Sequence, residues 1–160
     1  MREKGNSKIP AIAERSSIFT LLTRSEKETV AFANKFARTL KGGEVILLIG
    51  ELGAGKTTFT RALARALGIK EKIKSPTFVL MHIHKIVHST LKYLVHCDAY
   101  RVNAQSLQEV GLMDWIGRPD TIVVVEWGEK IKPLLKGRQY QVIKFKHGKL
   151  EQERIIEIAR

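Results

Sequence analysis

The 160-residue sequence predicts one α/β domain, a three-layer sandwich in which helices cover both faces of a mixed, mainly parallel sheet with one antiparallel edge. Two short apolar runs, VILLI at 45–49 and IVVV at 122–125, are typical of strands buried in a parallel sheet. Apolar residues at helical spacing before and after the first run predict the covering helices. Residues 1–17 are polar and lack periodicity, so we expect a flexible tail there and the domain at 18–160.

The first half of the chain predicts two strands and two helices. Residues 19–22 suggest a short edge strand. Ser25 and Glu28 form a capping box that opens a helix, and its apolar spacing ends at glycines 42 and 43. Residues 44–49 predict the buried strand. A second helix ends at Gly68 and has an apolar face made of Phe59, Ala62, Leu63, Ala66 and Leu67.

The second half predicts four more strands and one short helix. Residues 78–86 and 91–97 are rich in branched and aromatic side chains and predict a β-hairpin. A capping box of Ser106 and Glu109 predicts a helix through Trp115. Residues 121–126 predict another buried strand, and strands at 139–146 and 150–158 flank the turn HGK.

Composition excludes a membrane protein and suggests an anionic partner. No apolar run approaches the roughly 20 residues of a membrane-spanning helix, and no secretory signal is visible. The single cysteine, Cys97, fits a reducing compartment, so we expect a cytoplasmic protein with Cys97 in its core. The net charge of +12, from 28 basic and 16 acidic residues, suggests nucleic acid, although a basic solvated surface has the same composition.

The segment GELGAGKTTF at 50–59 matches the phosphate-binding pattern G-x-x-x-x-G-K-[ST] at a strand-to-helix junction. Glycines let the loop curl with its N–H groups inward, and the following helix adds its positive end. The sequence therefore predicts a P-loop NTPase domain. Lys56 is suited to the outer phosphates and Thr57 to Mg²⁺. The expected nucleotide contacts are Glu51, Gly53, Ala54, Gly55, Lys56, Thr57 and Thr58.

Two carboxylates are candidates to complete the metal site and orient water. Glu126 ends the buried run TIVVVE, where proteins of this kind supply such a carboxylate, and Asp98 ends YLVHC. A GTPase is disfavoured because no N-K-x-D follows the loop. A small-molecule P-loop kinase remains the alternative, but no long polar insertion resembles a lid, which favours a compact ATPase.

The chain resembles the TsaE family, the ATPase component of the bacterial machinery that makes threonylcarbamoyladenosine in tRNA. The motifs GELGAGKTTF, KSPTF, HCDAYR, QEVGL and VVEW follow one another as in that family, and the resemblance covers residues 19–158. It implies binding of ATP and Mg²⁺ and slow hydrolysis by the chain alone. It also implies coupling of hydrolysis to the partner proteins TsaB and TsaD, of which TsaD carries out the transfer. The charge adds tRNA as a possible direct contact.

The resemblance also implies individual roles in the site. Lys56, Asp98 and Glu126 are implied as catalytic residues, with Thr57 and Glu126 at the metal. Thr77 is implied near the terminal phosphate, and Trp127 as a neighbour of the carboxylates. The family usually has aspartate where Glu51 stands, a conservative change at a loop tip.

Histidines cluster between the KSPTF and HCDAYR motifs. His82 and His84 share one strand face, and His88 and His96 lie close in sequence. A zinc site is one interpretation, but no cysteine or carboxylate pattern completes it. We expect ordinary surface histidines.

Overall fold

A computed structural model describes residues 18–74, 79–87 and 90–159 of the chain. The predicted tail at 1–17, Thr77 and His88 lie outside these ranges. The strands are β1 Ile18–Thr23, β2 Val45–Gly50, β3 Met81–Lys85, β4 Tyr93–Asp98, β5 Thr121–Glu126, β6 Gln141–His147 and β7 Arg154–Ala159. The helices are α1 Glu26–Ala37, α2 Lys56–Ala66 and α3 Ala104–Glu109, with 3₁₀ helices at Leu112–Asp114 and Gly128–Leu135.

The described strands form one seven-stranded sheet with the order β1-β7-β6-β2-β5-β4-β3. Its four central strands, β6, β2, β5 and β4, run parallel to one another, which confirms the expected mixed sheet with a parallel centre. The expectation of a single antiparallel edge is wrong. The pairs β1–β7 and β6–β7 are antiparallel at one edge, and β3–β4 is antiparallel at the other. The pairs β3–β4 and β6–β7 are hairpins of consecutive strands. Their connections are short, and a short connection can join only antiparallel strands.

Two apolar cores lie on opposite faces of the sheet, because side chains alternate along each strand. One core packs against α1 and α2, and the other packs against α3 and the two 3₁₀ helices. Along β2, Ile46 and Leu48 belong to the first core, whereas Val45 and Leu47 belong to the second. The domain therefore has three layers, with the sheet between two helical layers. The layer on the side of the second core is made of short helices. No helix in the described ranges is both long and apolar enough to cross a membrane.

The start of α1 agrees with the prediction, but the helix ends at Ala37, before the predicted stop at glycines 42 and 43. Ser25 caps α1 as expected, since its Oγ accepts the Glu28 N–H at 3.3 Å. In α3 the cap is Asn103 rather than Ser106, and the Asn103 side chain accepts the Ser106 N–H at 3.0 Å. The helix also stops well before Trp115, because Gly111 adopts a left-handed conformation with φ +86°.

Three further expectations differ from the structure. On α2, Ala66 is exposed, and Ala64 lies in the core instead. The last strand begins at Arg154 rather than at residue 150, because 148–152 belong to the turn region. The sequence interpretation also missed the 3₁₀ helix Gly128–Leu135, whose internal proline and lysines hide its apolar face.

Replacement of Gly128 by a residue with a side chain is expected to lower the stability of the fold, because no space is left for a Cβ atom. A Cβ at this position would lie 2.5 Å from Leu47 Cβ and 2.8 Å from Leu47 Cα, in the middle of β2. We expect Gly128→Ala to lower the free energy of unfolding by about 1–3 kcal/mol, because the strand or the 3₁₀ helix must shift. Urea unfolding followed by circular dichroism measures this. The exposed neighbour Lys132→Ala is the control, with a change within about 0.5 kcal/mol. Equal stability of the two variants would contradict the close packing.

Candidate functional site

The segment from Gly50 to Thr57, here called the glycine loop, joins the end of β2 to the start of α2. Gly53 and Gly55 have φ of +74° and +106°, a region that favours glycine. At Gly50 a Cβ would lie 2.3 Å from the Phe145 carbonyl oxygen of the neighbouring strand β6. Gly55 is the N-cap of α2 and offers no side-chain cap. The positive end of α2 therefore faces the loop without a protein anion as its cap.

Lys56 places a buried ammonium group beneath the glycine loop. Its Nζ donates hydrogen bonds to the carbonyl oxygens of Gly50 at 2.5 Å and Glu51 at 2.8 Å. It also lies 4.1 Å from the centre of the Trp127 ring. No ion pair among the described residues includes Lys56. Burial lowers the pKa of Lys56, whereas the charges of Glu126, Glu129 and Asp98 act to raise it. The cation is well placed for an anion that enters the loop.

Thr57 and Glu126 meet between the start of α2 and the end of β5. The Thr57 Oγ1 donates to Glu126 Oε2 at 2.7 Å, and the Glu126 side chain is almost fully buried. Pairing of β2 with β5 sets Leu48 opposite Glu126, so the glycine loop begins just beyond the carboxylate. Oxygen ligands are those that Mg²⁺ prefers, and a hydroxyl can donate its hydrogen while a lone pair binds a cation. These two residues therefore fit a magnesium ion.

Asp98 lies beside Glu126 at the same edge of the sheet. The parallel pairing of β4 and β5 sets the two residues opposite each other at the carboxyl ends of their strands. Asp98 is 8% exposed, and its Oδ1 accepts the Tyr100 N–H at 2.9 Å. The structure thus brings together the two carboxylates that the sequence separates by a helix and a strand.

Trp127 follows Glu126 directly and turns back over the glycine loop. Its φ is +58°, and it is the one non-glycine residue in the described ranges with a positive φ. Its ring packs on Tyr100 with 4.9 Å between ring centres. Lys130 donates a hydrogen bond to the Tyr100 carbonyl oxygen. A positive φ strains the backbone of a non-glycine residue, and it persists only where surrounding contacts hold it. Strain of this kind is frequent at functional sites.

A cavity of about 460 Å³ unites most of the residues expected at the site. The expected residues that line it are Gly53, Gly55, Lys56, Thr57, Thr58, Asp98, Glu126 and Trp127. Glu51 and Ala54 do not line it. Glu51 is exposed, and Ala54 is fully buried in the core. Thr77 lies outside the described residues.

Three lining residues were not chosen from the sequence, namely Leu52, Tyr100 and Arg101. The signal for two of them was present, since Tyr100 and Arg101 complete the HCDAYR motif. Both residues lie close to the glycine loop because β4 pairs with β5. The motif alone does not predict that pairing.

Two of the clustered histidines are not the surface residues that the sequence suggested, whereas His82 is half-buried. His84 and His96 are buried, and each contacts a carboxylate, Glu71 at 2.6 Å and Glu126 at 2.8 Å respectively. The rings of His82 and His84 lie 5.9 Å apart. Within the described ranges no group of three or more histidine, cysteine or acidic side chains is placed to hold a metal ion.

Cys97 lies in the core on the face opposite His96. Burial raises the pKa of its thiol to about 12, and the nearby Asp98 charge acts in the same direction. A neutral, inaccessible thiol is not a nucleophile, so Cys97 is a core residue as expected.

Comparison with known proteins gives one consistent family. The family model described as "Threonylcarbamoyl adenosine biosynthesis protein TsaE" matches residues 23–156. Two relatives are named tRNA threonylcarbamoyladenosine biosynthesis protein TsaE. The one from Aquifex aeolicus is 41% identical over 115 residues, covering 71% of this chain and 79% of the relative. The one from Bacillus subtilis is 35% identical over 131 residues, covering 82% and 80%.

A solved structure agrees with these matches. The crystal structure of Bacillus subtilis YdiB superposes with a TM-score of 0.69 at 29% identity, covering 92% of this chain and 88% of that one. The family resemblance that the motifs suggested is thereby confirmed.

Proposed function

This chain belongs to the TsaE family of tRNA threonylcarbamoyladenosine biosynthesis proteins, and we propose that within that pathway it binds and hydrolyses ATP. The observation that carries the proposal is the Thr57–Glu126 contact at the end of a glycine loop with a buried lysine beneath it. In this proposal the fold is that of a P-loop NTPase, and its cofactors are ATP and Mg²⁺.

The glycine loop binds the phosphates of ATP through its backbone N–H groups and the start of α2. Lys56 exchanges its carbonyl partners at Gly50 and Glu51 for phosphate oxygens. Thr57 and Glu126 hold Mg²⁺, which supplies positive charge that neutralises the phosphate oxygens. The Trp127 ring packs over Lys56 and limits the directions in which the ammonium group moves.

Hydrolysis needs a water held in line with the terminal phosphorus atom. The water oxygen forms a new bond to that phosphorus while the bond to the ADP oxygen breaks, and the proton of the water passes to a base or to the released phosphate. Asp98 and Glu126 lie on adjacent strand ends beside the loop, so either carboxylate is a candidate to orient this water.

We also propose that hydrolysis is coupled to TsaB and TsaD, as the family resemblance implies. The rim of the cavity supports a protein partner there, because Leu52 is 75% exposed and Tyr100 is 44% exposed. Large apolar side chains beside a polar cleft are suited to burial against a second protein. A partner seated on them would shield the cavity from water.

Loss of the Glu126 carboxylate is expected to separate binding from hydrolysis. Glu126→Gln keeps the shape of the side chain but removes its charge, so phosphate release falls by about 100-fold or more. Mg-ATP binding stays measurable by calorimetry, because the glycine loop and Lys56 remain. The control is Glu129→Gln, an exposed carboxylate that also acts on Lys56 electrostatically and lines no part of the cavity. Unchanged hydrolysis in Glu126→Gln would refute the assignment. Transfer of labelled phosphate to a metabolite rather than to water would indicate the kinase alternative.

Capture of the two partners is expected to depend on the bound nucleotide. Tagged protein should retain TsaB and TsaD with ATP and lose them with ADP or without nucleotide, because the terminal phosphate orders the loop and rim. Lys56→Ala is the matched variant, since it weakens phosphate binding and so should abolish the response to ATP. A pull-down quantified by mass spectrometry measures the effect. Equal capture under all three conditions would contradict the coupling.

A direct tRNA contact is proposed from the charge of the chain. Lys144 and Lys146 are exposed on β6, and Lys149 is exposed in the following turn. We expect tRNA affinity to fall at least about tenfold between 50 and 200 mM salt, because each neutralised phosphate releases counterions. Filter binding of tRNA to the wild type and to Lys144→Glu measures this affinity at each salt concentration. Glu109→Gln, which changes an acidic side chain to a neutral one, is the control. Absence of binding at low salt, with or without the partners, would refute the contact.

A further inference from the structure

His96 is a fully buried histidine of β4 whose imidazole contacts the Glu126 carboxylate. Side chains two positions apart on a strand face the same side, so His96 lies on the same face of β4 as Asp98. The register sets His96 opposite Val124 and Asp98 opposite Glu126. Glu126 therefore contacts its diagonal neighbour on β4, His96. Long side chains can span the distance between diagonal positions on adjacent strands.

The contact defines which ring nitrogen carries the hydrogen. His96 Nε2 lies 2.8 Å from Glu126 Oε1, and a carboxylate oxygen accepts but does not donate. We therefore assign the hydrogen to Nε2, because a bare nitrogen there would set its lone pair against an ionised carboxylate. Nδ1 of His96 is buried and, among the described residues, has no hydrogen-bond partner. The polar contact of this side chain is thus directed to Glu126.

The two oxygens of Glu126 each accept one hydrogen bond, from different elements. Oε1 accepts from His96 on β4, and Oε2 accepts from Thr57 on α2. Any rotation of the carboxylate about its terminal bond by less than a half-turn would break both contacts. With His96 present, Oε2 is the oxygen turned toward Thr57 and the cavity, whereas without His96 only Thr57 orients the group.

We propose that His96 is a positioning residue that holds the Glu126 carboxylate in the orientation needed to share a magnesium ion with Thr57. This inference rests on the proposed ATPase function and deepens it. Groups that orient a metal ligand through a hydrogen bond are worth about 10- to 100-fold in metal affinity or activity.

His84 is the natural control for a merely structural role. It is also a buried histidine on the same sheet face, and its Nδ1 contacts the carboxylate of Glu71 at 2.6 Å. Its Nε2 is likewise buried without a partner among the described residues. Glu71 is exposed and lines no part of the cavity around Glu126, so loss of the His84 contact removes no hydrogen bond to Glu126.

A first experiment tests the hydrogen bond in the ligand-free protein. Nitrogen NMR of ¹⁵N-histidine-labelled protein should show His96 with a protonated Nε2 and a bare Nδ1, assigned by loss of the signal in His96→Gln. The Nε2 signal should shift in Glu126→Gln and stay in place in Glu129→Gln. The proposal would be overturned if the signals show the hydrogen of His96 on Nδ1. It would also be overturned if the Nε2 chemical shift is the same in the wild type and in Glu126→Gln.

A second experiment separates positioning from packing. His96→Leu fills the space without a donor, and His96→Gln restores a donor near the position of Nε2. We expect His96→Leu to lower kcat for ATP hydrolysis about 10- to 100-fold with KM for ATP within about threefold. The magnesium concentration that half-saturates binding of a non-hydrolysable ATP analogue should rise about tenfold. His96→Gln should recover most of both quantities, and His84→Leu should leave them within about twofold of the wild type.

The outcomes distinguish this inference from the proposed function. If the wild type does not hydrolyse ATP, even with its partners, the ATPase proposal fails while the NMR result still decides the hydrogen bond. If the wild type is active and His96→Leu retains its kcat and magnesium dependence, the positioning role fails. Equal losses in His96→Leu and His84→Leu, or no recovery in His96→Gln, would also overturn it. Should His96→Leu fail to fold, as thermal unfolding would reveal, His96→Met, which also lacks a donor, is compared with His84→Met in the same way.

Discussion

The hydrogen bond between Thr57 and Glu126 is the contact on which the geometry of the site depends. It joins the first turn of α2 to the end of β5, and it forms because β2 and β5 are parallel neighbours with Leu48 opposite Glu126. Strands that run in the same direction end at the same edge of the sheet, so a loop after one strand meets a carboxylate that ends the other. A shift of this register by one residue would turn Glu126 to the opposite face of the sheet.

Two charged groups of the site, Lys56 and Glu126, are almost fully buried, and their hydrogen-bond partners do not carry the opposite full charge. Lys56 bonds to carbonyl oxygens and lies against Trp127, while Glu126 accepts from a hydroxyl and an imidazole. Such partners satisfy hydrogen bonds but leave the charge available to a ligand. The positive φ of Trp127 costs about 1–3 kcal/mol, and its packing on Tyr100 and Lys56 offsets that strain.

Most elements of the fold were predictable because their signals are local. The apolar runs in β2 and β5 and the Ser25 cap of α1 are properties of short segments, and the structure confirms them. The start of α3 was not predictable in the same way, because Asn103 and Ser106 are both good caps and packing decides between them. The antiparallel pairing of β1 with β7 joins opposite ends of the chain, so no local pattern specifies it.

What the sequence determined by itself is the chemistry of the loop, since the Gly50-to-Thr57 pattern specifies curvature, cation and hydroxyl within eight consecutive residues. It also marked Asp98 and Glu126 as carboxylates at strand ends. Only the tertiary structure decided which residues face one another. The contact of His96 with Glu126 and the place of Tyr100 beside Trp127 follow from the β4–β5 register. Hydrogen bonds between strands distant in sequence set that register, and the residue types alone do not encode the distance between them.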